Sequence, residues 1–336
     1  MGGWHAEWEA GMPITPRPHH GGVEDLESHI PPVVRLRAAS LGDEGRRWLA
    51  GLPDLVADLE ARWSVRVERS LSGGTAAFVG AARTIDGTPV ILKLSVPDPD
   101  LGDEIGTLDR ARGRGYVRLL AHDSGRGAML LEALGPALDR VNLPPERQLE
   151  IICQLLATAW MVPPAASGRM AVPRDKATGL DGLVRRLWDE LDEPCSPRVL
   201  EQALVFARRR ADAFDPARTV QLHGDAATAN ALRVTSARPG AETGFVFVDP
   251  DGFLGDPAYD LGVALRDWGP ELLASDDPSG LARYYCRLLA ANSGVDEQEI
   301  WEWGFLERVS TGLYALAMGA GELSRPFFET AEALLT

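Results

Sequence analysis

The pattern of hydrophobic positions divides the chain into two parts of different character. Between residues 65 and 132, short β-branched runs alternate with turns rich in Gly, Asp and Ser, which is typical of an antiparallel sheet. Beyond about residue 135, most apolar residues recur at helical spacing. The predicted strands are Val65–Val67, Ala76–Ala82, Val90–Leu94, Val117–Ala121 and Ala128–Glu132, and the predicted helices span 43–62, 101–112, 145–162, 181–192, 197–213, 257–268, 279–292, 297–320 and 325–335.

These elements predict an α+β fold with two lobes. Residues 31–134 form an antiparallel β-sheet N-lobe with one inserted helix, which has the outline of a nucleotide-covering lobe. Residues 135–336 form a mainly helical C-lobe, interrupted by a hairpin of Ala231–Val234 and Phe245–Val248. Residues 1–30 are rich in Gly, Pro and His without periodicity, and we expect a disordered N-terminal extension there.

Composition narrows the possible partners. The 34 basic and 49 acidic residues leave a net charge of −15, which disfavours a nucleic acid partner and favours a cationic substrate. The three cysteines lack metal-ligand spacing, the chain opens without a signal-peptide pattern, and its longest apolar run is too short to span a bilayer. We therefore expect a cytoplasmic protein with no membrane partner.

The segment from Gln221 to Asp251 carries the strongest chemical signal. Asn230 follows Asp225 by five residues, and Asp249 ends an apolar strand. Phosphoryl transfer to a hydroxyl needs a carboxylate that orients and deprotonates the acceptor, and oxygen ligands that hold Mg²⁺ on the triphosphate. We therefore predict that Asp225 is the catalytic base and that Asn230 and Asp249 bind Mg²⁺.

An ion pair is predicted upstream of this segment. Lys93 is one of only two lysines among the 34 basic residues, and it ends an apolar strand where a buried ammonium needs anionic partners. Glu104 shares one helix face with Leu101, Ile105 and Leu108. The pattern favours a strand-lysine to helix-glutamate pair at the phosphates of a nucleotide. The alternatives are a strand-edge lysine in solvent and a glutamate at the rim of its helix.

A glycine-rich loop precedes Lys93. Its paired glycines allow backbone N–H groups to approach phosphate, and its hydroxyls add donors. It has no Gly-Lys-Ser/Thr end, and the alternative is an ordinary hairpin turn. The residues predicted to cover the nucleotide phosphates are Ser72, Gly73, Gly74 and Thr75.

Several side chains near the predicted base suggest structural roles. His223 is expected to brace the loop rather than to act chemically. Asp256 and the proline after it predict a helix start, and Asp260 is expected to accept hydrogen bonds from the backbone of the catalytic loop. Asp251 is a weaker metal candidate, because a solvated turn carboxylate is common after Asp-Pro.

An acidic stretch follows the predicted catalytic segment. Nine acidic residues between positions 267 and 307 stand against two arginines. Such a run is commonly a solvated helix face. If part of it faces the cleft, it attracts a cationic acceptor, and Asp267 and Glu271 are then the expected substrate contacts.

Taken together, these motifs resemble the aminoglycoside phosphotransferase family. The resemblance covers roughly residues 33–325, and it is closest to the streptomycin 6-phosphotransferase and hydroxyurea phosphotransferase branch. It implies a protein-kinase-like bilobal fold, ATP with Mg²⁺, and phosphorylation of a hydroxyl on a small antibiotic. The motifs that carry it are His223–Gly224–Asp225 with Asn230, Val248–Asp249–Pro250, Gly255–Asp256–Pro257–Ala258–Tyr259–Asp260–Leu261, and Ser72–Gly73–Gly74–Thr75–Ala76–Ala77.

The resemblance also implies residue roles. Lys93 and Glu104 would hold the α- and β-phosphates, and Leu131–Glu132–Ala133–Leu134 would be the interlobe hinge whose backbone holds adenine. The family often has a second histidine after His-Gly-Asp-Leu, where this chain has Ala226–Ala227, so the acceptor pocket is expected to differ. The resulting prediction is an ATP- and Mg²⁺-dependent phosphotransferase acting on a cationic antibiotic such as streptomycin or another aminoglycoside. A metabolite kinase of the same fold and a non-catalytic, pseudokinase-like binding module are the alternatives.

Overall fold

The computed structural model of the chain describes residues 30–71, 76–98 and 102–335. Its elements confirm the predicted α+β class. The strands are β1 Val65–Ser70, β2 Ala77–Thr84, β3 Pro89–Ser95, β4 Leu119–Asp123, β5 Ala128–Glu132, β6 Val220–Gln221, β7 Ala231–Arg233, β8 Phe245–Phe247 and β9 Leu254–Gly255. The helices are α1 Pro32–Ser40, α2 Asp43–Trp63, α3 Glu104–Ala111, α4 Pro145–Ala159, α5 Lys176–Glu190, α6 Pro197–Asp212, α7 Pro257–Arg266, α8 Gly269–Leu273, α9 Pro278–Ser293, α10 Glu297–Ala317 and α11 Gly321–Ala333.

Five strands form one antiparallel sheet in the order β1-β2-β3-β5-β4. β3 lies at its centre, and Lys93 is paired with Val79 on β2 and with Met129 on β5. A residue in the middle of a sheet has its backbone fixed from both sides, so the position of the Lys93 side chain is well defined.

Two helices before the sheet cover one of its faces. Leu52, Val56 and Leu59 follow each other at helical spacing on α2, and they pack in one buried cluster with Phe78 and Leu92. Burying a side chain of this kind contributes about 1.5–3 kcal/mol, so this contact supports the strand that carries Lys93. The sequence pattern did not predict α1, and the predicted extension lies outside the described residues apart from position 30.

The helical part of the chain is built around α10, which is buried on several sides by α7, α11 and α6. Two glycines allow α7 and α10 to approach closely. A Cβ on Gly262 would lie 2.4 Å from Trp303 Cβ, and one on Gly304 would lie 2.7 Å from a Leu265 methyl group. Larger residues would force the helices apart, because interiors are close-packed. This contact places the end of α7 against the middle of α10.

Several predicted helix boundaries were wrong, among them the starts of α3, at Glu104 instead of residue 101, and of α11, at Gly321 instead of residue 325. α5 begins at Lys176 instead of residue 181, because the Asp175 side chain caps it by accepting a hydrogen bond from the Thr178 N–H. The predicted helix 257–268 ends at Arg266, and the separate short helix α8 begins at Gly269 with a proline in its first turn. The pairing of β6 with β9 was not predicted either. Within the described residues, no helix is both long and apolar enough to cross a membrane.

Candidate active site

Lys93 lies between two carboxylates where the sheet meets the helical part of the chain. Its Nζ is 2.7 Å from both carboxylate oxygens of Glu104 on α3 and 2.8 Å from Asp249 Oδ1. Burial alone would lower the pKa of Lys93, but the charges of Asp249 and Glu104 raise it above its ordinary value. The predicted pairing of Lys93 with Glu104 is present, and Asp249 is a second partner that the sequence pattern did not predict.

Glu104 and Asp249 share the Lys93 ammonium, so the ammonium stabilises the charged form of Glu104 less than it would alone. Burial raises the pKa of Glu104 to about 7, because it disfavours the carboxylate more than Lys93 favours it, and the nearby charge of Asp249 acts in the same direction as burial. The three groups therefore carry one positive charge and up to two negative charges in a poorly solvated place. A second cation near Asp249 would relieve this imbalance.

The segment His223–Asp225 is held in place by α7. Asp260 is fully buried and accepts hydrogen bonds from the backbone N–H groups of His223 at 3.0 Å and Gly224 at 2.8 Å. It also accepts one from Trp160 Nε1 at 3.0 Å. The predicted role of Asp260 in holding this backbone is confirmed, and Asp256 at the start of the same helix accepts from the Ala258 N–H, as expected of an N-cap.

His223 braces the same loop. Its Nε2 lies 2.8 Å from the Val248 carbonyl, so Nε2 carries the proton, and its Nδ1 accepts the backbone N–H of Asp225 at 3.1 Å. Both ring nitrogens are thereby occupied. His223 links the segment before Asp225 to the strand end before Asp249, which agrees with the structural role expected for it.

Asp225 is 3% exposed, and each of its carboxylate oxygens has a donor. Arg266 Nη2 donates to Oδ1 at 3.0 Å, and Asn230 Nδ2 donates to Oδ2 at 3.0 Å. Asn230 also donates to the Asp225 carbonyl at 2.9 Å. The two donors fix the plane of the carboxylate, while a second lone pair on each oxygen is available to another hydrogen.

Arg266 is the site residue that the sequence pattern missed. This arginine ends α7, is 7% exposed, and also contacts Asp267 at 3.2 Å, Glu307 at 3.4 Å and Thr311 at 3.3 Å. Burial would lower the pKa of Arg266, but the surrounding carboxylates raise it. The available signal was an arginine at the end of an otherwise apolar helix, where a buried cation requires acidic partners.

The two predicted metal ligands are brought together. The Val248 N–H donates to the Asn230 carbonyl at 2.9 Å, which places Asn230 beside the strand end that leads to Asp249. Within the described residues, the side-chain carbonyl oxygen of Asn230 accepts no hydrogen bond. The Asp249 side chain is 41% exposed, with φ of 57°. No group of three or more His, Cys, Asp or Glu side chains in the described ranges forms a metal site of its own.

A cavity of 930 Å³ adjoins the Lys93 group, which consists of Lys93, Glu104 and Asp249. It lies between α2, the start of β2, α3 and the turn between β4 and β5. The residues of the Lys93 group face it directly, so a polyanion entering from this side would meet the ammonium. Its lining includes Trp48, Ala76, Lys93, Glu104, Arg126 and Asp249.

The predicted hinge has free backbone groups. The Glu132 side chain accepts from the Arg118 N–H at 2.8 Å and pairs with Arg238, so it is turned away from the cleft to hold the connection in place. In the described part of the chain, neither the N–H nor the carbonyl of Leu134 has a hydrogen-bond partner. The other predicted nucleotide contacts, Ser72, Gly73, Gly74 and Thr75, lie outside the described residues.

The structure gives the two predicted substrate contacts different surroundings. The Asp267 carboxylate is 16% exposed and is already paired with Arg266, so it supports the arginine that holds Asp225. Glu271 is exposed on α8. Asp251, the weaker metal candidate, packs against Gly224, and its carbonyl accepts the Asp103 N–H at 2.9 Å at the start of α3.

Comparison with known proteins identifies relatives over most of the chain. The model of the aminoglycoside/hydroxyurea antibiotic resistance kinase family matches residues 62–319. Streptomycin 6-kinase of Streptomyces glaucescens is 28% identical over 304 residues, which cover 90% of this chain and 95% of that protein. Hydroxyurea phosphotransferase of Kitasatospora aureofaciens is 28% identical over 322 residues, which cover 94% of this chain and 87% of that protein.

Solved structures confirm the predicted fold. Choline kinase LicA from Streptococcus pneumoniae aligns with a TM-score of 0.55 at 14% identity, covering 84% of this chain and 98% of that one. The likeness is one of fold alone, namely the protein-kinase-like bilobal fold. The resemblance noted in the sequence is likewise confirmed by the family match, which spans well over half of the chain. The chain therefore belongs to the aminoglycoside/hydroxyurea antibiotic resistance kinase family.

Proposed function

We propose that this protein is an ATP- and Mg²⁺-dependent phosphotransferase that inactivates a small cationic antibiotic of the streptomycin class by phosphorylating one of its hydroxyl groups. One observation carries the proposal. A buried, doubly hydrogen-bonded Asp225 lies in the same site as a Lys93 ammonium held between Glu104 and Asp249. This arrangement supplies both a base for the acceptor and a cation for the nucleotide.

Asp225 acts as the base in this proposal. Arg266 and Asn230 hold its two oxygens, and the remaining lone pairs accept the proton of the acceptor hydroxyl. The acceptor oxygen forms a bond to the γ-phosphorus, the bond between that phosphorus and the β,γ-bridging oxygen breaks, and ADP leaves. Because the carboxylate is fixed before the substrates bind, it does not have to reorganise during the step.

Lys93 and the segment from Glu132 to Leu134 bind the nucleotide in this proposal. Lys93 contacts the α- and β-phosphates while Glu104 keeps its ammonium in place. The backbone groups of Leu134, which lack partners in the described residues, are available to adenine. The proposed nucleotide-covering lobe is residues 31–134, with Ser72, Gly73, Gly74 and Thr75 over the phosphates, and the proposed catalytic lobe is residues 135–336.

Asn230 and Asp249 fit a magnesium ion. One amide oxygen and one partly exposed carboxylate are hard oxygen ligands, and Mg²⁺ commonly needs only one or two protein ligands besides phosphate and water. The bound ion would neutralise charge on the triphosphate. The imbalance of charge around Lys93 supports the same assignment, because two carboxylates there share one ammonium.

The relatives and the charge support a cationic acceptor. Two curated relatives are named streptomycin 6-kinases, and both align over at least 90% of this chain. The net charge of −15 favours the approach of a cation. The exposed Glu271 on α8 is the proposed acceptor contact, whereas Asp267 is proposed to act through Arg266. The buried Ala226 and Ala227 lie directly after Asp225, at the position where the family often has a second histidine, and the acceptor pocket is proposed to differ there.

One experiment tests the proposal. The protein is incubated with Mg-ATP and, separately, streptomycin, other aminoglycosides and hydroxyurea, and products are measured by mass spectrometry alongside ADP release. We expect one phosphate on streptomycin, and no product with Asp225→Ala although ADP binding is retained. Absence of product on every acceptor despite ADP binding would favour the non-catalytic alternative, and a product only on a metabolite would favour a metabolite kinase.

A further inference from the structure

The second lysine of the chain also lies beside the candidate active site. Lys176 is the first residue of α5, and its Nζ is 5.2 Å from the centre of the Phe253 ring and 5.4 Å from the centre of the Tyr259 ring. Both rings are buried, with exposures of 3% and 1%. In a chain whose 34 basic residues are otherwise arginines apart from Lys93, both lysines are therefore near the catalytic segment.

Phe253 connects Lys176 to the catalytic loop. A Cβ on Gly224 would lie 2.9 Å from the Phe253 ring and 2.6 Å from Asp251 Cβ, so these side chains pack directly against the residue before Asp225. The backbone near Lys176 is tied to the same segment, because the Arg174 N–H donates to the Leu254 carbonyl at 2.9 Å. The lysine is thus held one layer of side chains away from the predicted base.

Arg174 is a second cation at the Phe253 ring, and the carboxylate of Asp251 interacts with both cations. The Arg174 guanidinium lies 5.8 Å from the centre of the Phe253 ring, and burial together with the charge of Arg169 lowers its pKa, while Asp251 acts in the opposite direction. Burial raises the pKa of Asp251, but nearby positive charges, among them Lys176, lower it below its ordinary value. The N-terminus of α5, a helix of 15 residues, adds a partial positive charge.

Lys176 itself is half-buried, and none of the ion pairs formed among the described residues includes it, although the charge of Asp251 acts on it. An ammonium that contacts ring faces and forms no ion pair among the described residues keeps its hydrogen-bond donors available to an anion. A cationic acceptor would be repelled there, whereas the γ-phosphoryl group of ATP would be attracted. The catalytic loop from His223 to Asn230 contains no lysine or arginine that could do this instead.

We propose that Lys176 is a further catalytic residue, which contacts the transferred phosphoryl group and stabilises the negative charge on its oxygens during transfer. This inference rests on the proposed function. The transfer itself is unchanged: the acceptor oxygen bonds to the γ-phosphorus, the bond to the bridging oxygen breaks with its electron pair leaving on ADP, and the hydroxyl proton goes to Asp225. Lys176 donates hydrogen bonds throughout and keeps its proton.

The test compares Lys176→Met, Lys176→Arg and the control Arg186→Met, which changes an exposed cation on the same helix. Rates of antibiotic phosphorylation and of ATP hydrolysis without acceptor are measured, together with binding of ADP and of a non-hydrolysable ATP analogue. We expect Lys176→Met to lower both rates by about 100-fold, because a preorganised donor to the developing charge is lost. Binding of the ATP analogue should weaken more than binding of ADP, which lacks the γ-phosphate. Lys176→Arg should recover at least about a tenth of the activity, because it restores the charge.

Three results would overturn the inference. Lys176→Met could retain both rates within about threefold of the wild type. It could change only the KM for the antibiotic while hydrolysis is unaffected, which would place the lysine on the acceptor. It could lose activity together with thermal stability, with no recovery in Lys176→Arg, which would indicate a packing role. If the wild-type protein phosphorylates no acceptor, the proposed function fails, whereas acceptor-free hydrolysis still reports on Lys176.

Discussion

The contact between Arg266 and Asp225 yields the sharpest prediction. Replacing Arg266 with methionine keeps an unbranched side chain of comparable length but removes the charge that serves Asp225, Asp267 and Glu307. The side chains of Asp225 and Glu307 are 4% and 1% exposed, so water cannot replace the guanidinium. We expect Arg266→Met to lose both stability and turnover.

The expected loss of stability follows from the burial of the Arg266 ion pairs. Breaking a buried ion pair by removing one partner costs about 3–5 kcal/mol, because the remaining charge stays uncompensated. With about 2.1 cal/mol/K of unfolding entropy per residue, each kcal/mol shifts Tm by about 1.4 °C in a chain of 336 residues, so Arg266→Met should lower Tm by about 4–7 °C. The matched control is Arg186→Met, since Arg186 and Glu190 form a 2.8 Å pair in which both side chains are 56% exposed. That change should cost about 0.5 kcal/mol or less.

A double-mutant cycle isolates the contact with the base. Urea unfolding of wild type, Arg266→Met, Asp225→Asn and the double variant measures their coupling, which we expect to be about 1–3 kcal/mol for groups in direct contact. Asp225→Asn should partly rescue the stability of Arg266→Met, because the stranded carboxylate is removed, but it should not rescue turnover. A coupling energy near zero would refute the idea that Arg266 holds Asp225, whatever the activity of the single variants.

Three other changes test the frame around the site. Gly252→Ala should cost about 3 kcal/mol and reduce turnover, because its Cβ would lie 2.1 Å from Thr107 Oγ1 at a φ of 65°. The control Gly42→Ala has the same φ but open space around the Cβ, so it should cost about 1 kcal/mol. Equal losses of the free energy of unfolding, measured in urea, would contradict this. Asp260→Asn should cost about 2–4 kcal/mol by leaving one buried N–H of the catalytic loop without an acceptor, and unchanged amide exchange there would argue against it. The pKa of Glu104 is higher in the fold than in the unfolded chain, so the wild type loses stability as pH rises through about 4.5 to 7. Between pH 5 and 8, Glu104→Gln should therefore gain about 2–3 kcal/mol in free energy of unfolding relative to wild type, while it loses turnover. A difference in stability between the two proteins that does not change with pH would exclude this assignment.

The sequence predicted what depends on local spacing. Lys93 and Glu104 are 11 residues apart, each in an apolar pattern that a charged residue interrupts, and this was enough to predict their pairing. Asp260 could be predicted as a backbone acceptor because it lies on the buried side of a helix with a recognisable start. The strands of the sheet were predicted for the same reason, since their alternation is visible within a few residues.

Contacts between distant parts of the chain could not be predicted in this way. Arg266 lies 41 residues after Asp225, and Asp249 lies 156 residues after Lys93, so no periodicity relates either pair. The sequence pattern assigned no role to Lys176, the second of the two lysines, because its position over Phe253 depends on how the loop before α5 folds back. Chain topology decides all three contacts, and a single sequence shows that topology only indirectly.

The two halves of the site differ in how firmly they are built. One helix, α7, holds the proposed base Asp225 from both ends: Asp260 accepts from the backbone of His223, and Arg266 donates to the carboxylate of Asp225. The glycine contact between α7 and α10 fixes that helix in turn. On the nucleotide side, Lys93 is paired with Asp249, which the proposed function also assigns to the magnesium ion of Mg-ATP. We therefore infer that the base is preorganised, whereas the phosphate-binding group exchanges partners on binding, so that closure around the nucleotide is the step that completes the site.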